Sequence, residues 1–244
     1  MTSQVTSVII IPSYNEKLAL PELLNELKEG LTELDAVLIM DDSDRETSNA
    51  IELECRKTLE GASLIFDFDN SGSKSGRGAA IRRGLSKALI EFPKATHFLE
   101  CDADGSHRPV DILRIKESAS EADLLVGSRY LATSQIVGWP ISRRIFSWIL
   151  NKIIPRATSV ELRDITNGLR RYSRDSVCEI LSVPQINTGF IYLSEQAIVL
   201  TRQGRKIEEE PIVFVDRTLG QSTVTWREIS HSLIGVMKLL ISKK

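Results

Sequence analysis

The chain has 244 residues, 42% of them hydrophobic, which is enough to bury one large core. Its 31 basic and 33 acidic residues leave a formal charge of −2, and no long basic run marks a nucleic-acid partner. Three well-separated cysteines, Cys55, Cys101 and Cys178, exclude a disulfide framework and lack metal-ligand spacing, so reduced thiols in a cytosolic setting are expected. The N-terminal residues have neither the charged start nor the apolar stretch of a signal peptide. No apolar run reaches the roughly 18 residues that a membrane span needs.

In chain order, residues 8–11 form a short apolar run stopped by Pro12, which reads as a strand. Leu20, Leu23, Leu24, Leu27 and Leu31 lie on one helical stripe within residues 18–31. A strand at 36–40 runs into Asp41 and Asp42, and residues 45–59 read as a helix. A strand is expected at 62–66, a helix at 79–92, a strand at 96–101, a helix at 110–120 and a strand at 123–126. This alternation implies an α/β fold, a mostly parallel sheet with helices on both faces. The second half is less regular. Helices are expected at 141–154, 189–202 and 225–241 and a strand at 206–214, with a polar, turn-rich stretch at 163–174.

In parallel sheets ligands bind beyond the carboxyl ends of the strands. The chemistry-bearing residues fall there: Tyr14, Asn15 and Glu16 after the first strand, Asp41 and Asp42 after the second, Asp102 and Asp104 after the fourth. Side chains two apart on a strand point the same way, so Asp102 and Asp104 repel each other unless a cation lies between them. A hard dication such as Mg²⁺ or Mn²⁺ is the usual answer; a solvated acidic turn is the alternative. Asp41 and Asp42 suit either a base or ribose contact or the start of a helix. Lys74, Gly76 and Gly78 precede a helix, where glycines allow close backbone approach to a phosphate, although a plain turn reads equally well. The segment is neither a P-loop nor a dinucleotide fingerprint, because its lysine precedes the glycines.

The order of these pieces is more specific than any one of them. Pro12, Tyr14, Asn15 and Glu16, then Asp41 and Asp42, then Lys74 to Gly84, then Asp102, Ala103 and Asp104 with Ser106, His107 and Pro109, resembles inverting glycosyltransferases of family 2. Further motifs resemble the dolichol-phosphate mannosyltransferase branch: Gly127, Ser128, Arg129 and Tyr130; Trp139 with Arg143, Arg144 and Ser147; Asp164 to Tyr172; Thr188 to Phe190 with Glu195; and Glu210 to Ser222. The resemblance spans about residues 8–222. The chain departs from the family where Ser43 replaces the usual glycine after Asp42, where Asn167 and Leu169 flank Gly168, and at Thr223, where a lysine is common.

The resemblance implies a GT-A fold over residues 1–222, followed by an amphipathic C-terminal helix at 223–244. It implies transfer of a hexose, mannose from GDP-mannose, to a polyprenyl or dolichyl phosphate, with Mg²⁺ or Mn²⁺ at Asp102, Asp104 and Ser106. Pro12, Tyr14, Glu16, Asp41, Asp42, Lys74, Gly76, Asp102 and Ala103 would bind the nucleotide sugar, and Arg129, Arg143, Arg144 and Arg217 the acceptor phosphate. Asp104, Arg129 and Arg217 would be catalytic. A phosphate acceptor is largely anionic near neutral pH, so it needs positioning by arginine rather than a general base. Alternatives are a UDP-glucose or other nucleotide-sugar donor, a saccharide acceptor, and an inactive scaffold subunit. Trp139, Ile145, Phe146, Trp148 and Ile149 with Arg143, Arg144 and Lys152 suit an interfacial helix, with core packing as the alternative. The expected location is peripheral on the cytosolic face of a membrane, with or without a membrane-embedded partner subunit.

Overall fold

A computed structural model describes residues 4–216. Strands β1 (Ser7–Ser13), β2 (Asp35–Asp41), β3 (Ile65–Asn70), β4 (His97–Glu100), β5 (Leu124–Ser128), β7 (Arg170–Ser173) and β8 (Ile207–Pro211) form one sheet in the order β3-β2-β1-β4-β7-β5-β8. All neighbours run parallel except β7, which is antiparallel to both β4 and β5. A second, two-stranded sheet pairs β6 (Gln135–Val137) with β9 (Val213–Val215).

Both faces of the central strands are buried, so they read as continuous apolar runs rather than alternating ones. On one face Val8, Ile10, Leu38, Met40 and Phe98 pack with α3 (Arg77–Glu91), α6 (Arg174–Ser182) and α7 (Tyr192–Arg202). On the other, Ile9, Ile11, Val37, Ile39 and Leu99 pack against α1 (Ala19–Leu27), α2 (Arg45–Thr58) and α4 (Pro109–Glu117). The leucine stripe of α1 is the buried face of that helix. Asp44 caps α2 by accepting from Thr47 N at 3.0 Å. Gly84 lets α3 approach the sheet: a methyl group there would lie 2.4 Å from Ile10 Cγ2.

Three expectations need correction. The third strand begins at Ile65 rather than Ala62, because Asp67 and Asp69 mask its pattern. β3 is an edge strand, and those aspartates face Lys87, which lies 2.6 Å from Asp67. The stretch at 163–174 is not simply turns: it holds β7, in the middle of the sheet, and leads into α6. Its polarity is real and largely met by internal carbonyls, although Arg171 Nε is buried without a hydrogen-bond partner. Buried Arg170 donates to the carbonyls of Asn167, Leu193 and Ile165, and Arg171 to those of Ser118 and Ser120. Finally, the strand expected at 206–214 breaks at Ile212 into β8 and β9. The C-terminal helix at 223–244 lies outside the described residues.

Candidate active site

The carboxyl ends of β1, β2, β4 and β5 share one edge of the sheet. β7 runs the other way, so the residues just before it, Asn167 and Gly168, reach the same edge.

On one side of this edge the two carboxylates after β2 organise loops. Buried Asp41 accepts from Ser43 N at 3.2 Å, Ser43 Oγ at 2.9 Å and Asn70 Nδ2 at 3.1 Å. Asp42 accepts from Ser71 Oγ, Ser75 N, Ser75 Oγ, Gly76 N and Arg83 Nη2, at 2.7 to 3.1 Å. Burial pushes the Asp42 carboxyl up, but the Ser75, Ser71 and Arg83 donors outweigh it and hold the group below the usual carboxylate range. The N–H groups of Ser75 and Gly76 thus point at Asp42, and that of Gly78 donates to Thr188 O at 2.8 Å. Gly76, at φ +97°, turns the chain into α3 close against Thr188. Lys74 lies over the ring of half-exposed Tyr14 at 4.4 Å, and Asn15, at φ 61°, donates from its backbone to Ser43 Oγ at 2.8 Å. Pro12 does not stop β1 as expected but pairs with Met40 inside it, the strand ending at Ser13, and the Glu16 carbonyl accepts from Leu20 N at the start of α1.

Beyond β4, the Asp104 carboxylate accepts from Ser106 N at 3.0 Å, and Ala103 is buried. His107 is fully buried. Its Nδ1 accepts from Asp102 N at 3.1 Å, so Nε2 carries the proton and donates to Asn167 Oδ1 at 3.0 Å. Asn167 Nδ2 in turn donates to Gly127 O. This relay ties the acidic turn to β5 and to the loop before β7. A residue that sequence reasoning passed over completes the turn: Arg77, whose Nε and Nη2 both lie 2.8 Å from Asp102 Oδ1. Burial pushes the Asp102 carboxyl up, and the Arg77 guanidinium leads the groups that more than reverse that. Arg77 is the first residue of α3, where the helix dipole disfavours a cation. That mismatch was the available signal that an anion must face it.

The described residues hold no cluster of three or more His, Cys, Asp or Glu side chains. Asp102, Asp104 and Ser106, whose Oγ is buried without a hydrogen-bond partner, lie within five residues on the loop after β4 and would offer oxygen donors only. Such a set fits Mg²⁺ or Mn²⁺, which keep water and substrate oxygens among their ligands. It does not fit a closed protein cage.

On the other side, Arg129 follows β5 and is buried against Asp164, with Nε–Oδ2 and Nη2–Oδ1 both at 2.7 Å. It also donates to Thr166 Oγ1 at 2.8 Å and lies over Trp139 at 4.9 Å. Arg143, near the start of α5 (Ile141–Thr158), stacks on Trp139 at 4.2 Å and pairs with Asp216 at 2.9 Å. Arg144 donates to Ile136 O. Arg217 lies outside the described residues. The structure therefore brings Asp102, Arg77, His107 and Asn167 together and gathers Arg129, Arg143 and Trp139 beside them.

The profile of Glycosyl transferase family 2 matches residues 8–181. The chain belongs to this family. Undecaprenyl-phosphate mannosyltransferase of Micrococcus luteus is 30% identical, over 94% of this chain and 91% of its own length. Polyprenol monophosphomannose synthase of Mycolicibacterium smegmatis is 28% identical, over 94% and 85% respectively. Among solved structures, glucosyl-3-phosphoglycerate synthase from Mycobacterium tuberculosis, in complex with Mn²⁺, UDP and phosphoglyceric acid, superposes with a TM-score of 0.65 at 14% identity. That match covers 98% of this chain and 78% of the other. Mannosyl-3-phosphoglycerate synthase from Rubrobacter xylanophilus gives 0.59 at 17% identity, over 97% and 73%. These two share the fold with this family 2 glycosyltransferase, a mostly parallel sheet flanked by helices.

Proposed function

We propose that this glycosyltransferase moves a hexose, mannose from GDP-mannose, onto a polyprenyl phosphate with inversion at the anomeric carbon. One observation carries the choice of acceptor. Among the described residues beside the arginines, the carboxylates of Asp164 and Asp216 are already engaged, by Arg129 and by Arg143. A saccharide hydroxyl would need a carboxylate base to remove its proton, whereas a phosphate oxygen is anionic already. The names of the two relatives support the same reading.

In this mechanism Asp42 holds the 71–76 loop and Tyr14 faces the base side of the donor. Asp102 and Asp104 would hold the divalent cation, which supplies charge stabilisation to the departing diphosphate. Arg143, steadied by Trp139, and Arg217 orient the acceptor phosphate for in-line attack. Arg129, anchored by Asp164 and lying over Trp139, would serve the same acceptor side.

The acceptor's lipid tail calls for a membrane surface. No described helix is long and apolar enough to cross one. The α5 helix instead presents Ile141, Ile145, Trp148 and Ile153 to solvent, with Trp148 53% exposed, beside Lys152 and Arg156. We place α5 at the interface of a cytosolic membrane face.

The test is a donor screen against a short-chain polyprenyl phosphate, with Mn²⁺ or with chelator. GDP-mannose turnover that stops with chelator and with Asp104→Ala is the expected result. Preference for UDP-glucose would replace the donor, and turnover only on saccharides the acceptor. No turnover of any donor would favour a scaffold subunit.

A further inference from the structure

Arg77 has no assigned part in the reaction described above, yet the fold builds a slot for it. Its side chain is 10% exposed. Two of its nitrogens meet Asp102 Oδ1, Nη1 donates to the Tyr192 hydroxyl, and Nη2 reaches Gly168 O at 3.4 Å. Gly168 leaves this room: a Cβ there would lie 2.4 Å from Arg77 Nη2, so the guanidinium would have to shift. Gly78 likewise lies against the Tyr192 ring, where a Cβ would meet Tyr192 at 2.8 Å. The Tyr192 hydroxyl in turn donates to buried Glu100 at 2.9 Å.

The two oxygens of Asp102 are thereby made unlike. Oδ1 belongs to Arg77. Near Oδ2 is His107 Nδ1 at 3.6 Å, whose lone pair already accepts from Asp102 N, so it offers no proton. Oδ2 is the oxygen of Asp102 available to a metal.

We propose that Arg77 is a resident counter-cation of the metal site: it holds Asp102 by one oxygen, so a divalent cation binds firmly only together with the donor diphosphate. This rests on the metal reading above. Two cations on opposite oxygens of one carboxylate repel each other in a partly desolvated site, and the diphosphate supplies the negative charge that offsets this. The positioning of Asp102 and the weak affinity for free metal thus come from one residue.

The test measures binding of Mn²⁺ alone to the full chain, by electron paramagnetic resonance of the free ion, and then repeats it with GDP. For the parent chain the expected result is weak binding of Mn²⁺ alone, strengthened at least tenfold by GDP. In Arg77→Met, Mn²⁺ alone should bind roughly tenfold tighter or more, and the enhancement by GDP should shrink. Arg77→Lys, which keeps the charge, should behave as the parent. Arg77→Gln keeps a polar contact to Asp102 without the charge; it should match Arg77→Met and serves if that variant fails to fold. Unchanged or weaker Mn²⁺ binding in a folded neutral variant would overturn the proposal while leaving the metal reading standing. Absence of Mn²⁺ binding to the parent chain, with and without GDP, would overturn both.

Discussion

Replacing Asp164 by Asn would leave the Arg129 guanidinium buried without its counter-charge. Both side chains are almost wholly buried, at 5% and 0% exposure, and Asp164 also accepts from the Arg129 backbone N–H at 2.9 Å and from Asn151 at 3.4 Å. Removing one partner of such a pair costs about 3–5 kcal/mol. That is a large share of the roughly 5–15 kcal/mol by which domains are stable. At about 2–4 °C per kcal/mol for a chain of this size, Tm should fall by between roughly 6 and 20 °C. The double variant Arg129→Met with Asp164→Leu removes both charges and lets a thioether pack against Trp139 and Phe214. It should return to within about 2 kcal/mol of the parent.

The pH dependence gives a second check. Burial raises the Asp164 carboxyl, but Arg129 overcomes this and holds it below the usual range. A depressed folded-state value means that the stability contributed is fully present above the unfolded value of about 4 and lost as pH falls through the lower folded value. The deficit of Asp164→Asn should therefore be full at pH 7 and narrow as pH drops below about 4. Urea titrations at a series of pH values measure it. A loss under about 1 kcal/mol at neutral pH would refute the reasoning. In the stable double variant, the KM for polyprenyl phosphate then reports whether Arg129 serves the acceptor directly: unchanged KM would limit it to a structural role.

Other outcomes follow from packing and exposure. Gly84→Ala should lower stability by about 1–3 kcal/mol in denaturant titration, because the new methyl meets Ile10 Cγ2 at 2.4 Å and Met40 Cγ at 2.9 Å; a neutral result would mean that α3 shifts freely. Cys178 is exposed, whereas burial pushes the Cys55 thiol up to about 12 and that of buried Cys101 upward too. A thiol reagent should therefore label the native protein once, at Cys178, and labelling of Cys55 before unfolding would contradict the burial. Ile145→Glu with Trp148→Glu should cut flotation with anionic vesicles severalfold and leave Tm nearly unchanged, since both side chains face solvent. Equal flotation would remove α5 from the membrane.

The first half of the fold, β3 with its Asp67 and Asp69 excepted, was legible because its strands are apolar on both faces and its helices carry plain stripes, as in α1. β7 was not, because Arg170 and Arg171 read as surface residues until the distant carbonyls that receive them are known. The carboxylates of the candidate site were equally visible in the sequence, at strand ends. Their partners were not: Asp42 meets Ser75 and Arg83, and Asp102 meets Arg77, across separations that no local pattern encodes. Glycines 76, 78 and 168 looked like phosphate loops or turns, and in the structure they make room for Thr188, Tyr192 and Arg77. Arg217 and the C-terminal helix lie beyond the described residues.

The place of β7 governs the order in which this molecule can be built during synthesis. When residue 128 leaves the ribosome, β3, β2, β1 and β4 can already pair, but β5 has no neighbour that joins it to them. That joint arrives only with residues 170–173, after Arg129, Arg143 and Arg144 have been made. The half built from β1 to β4 can therefore mature early, and the half built on β5 and β8 assembles last, around a strand inserted backwards between two waiting edges. A nascent chain stalled or cut before Arg170 would leave the edges of β4 and β5 unpaired. Such a fragment should be prone to aggregation and chaperone capture, even though it carries Asp41, Asp42, Asp102 and Asp104 intact.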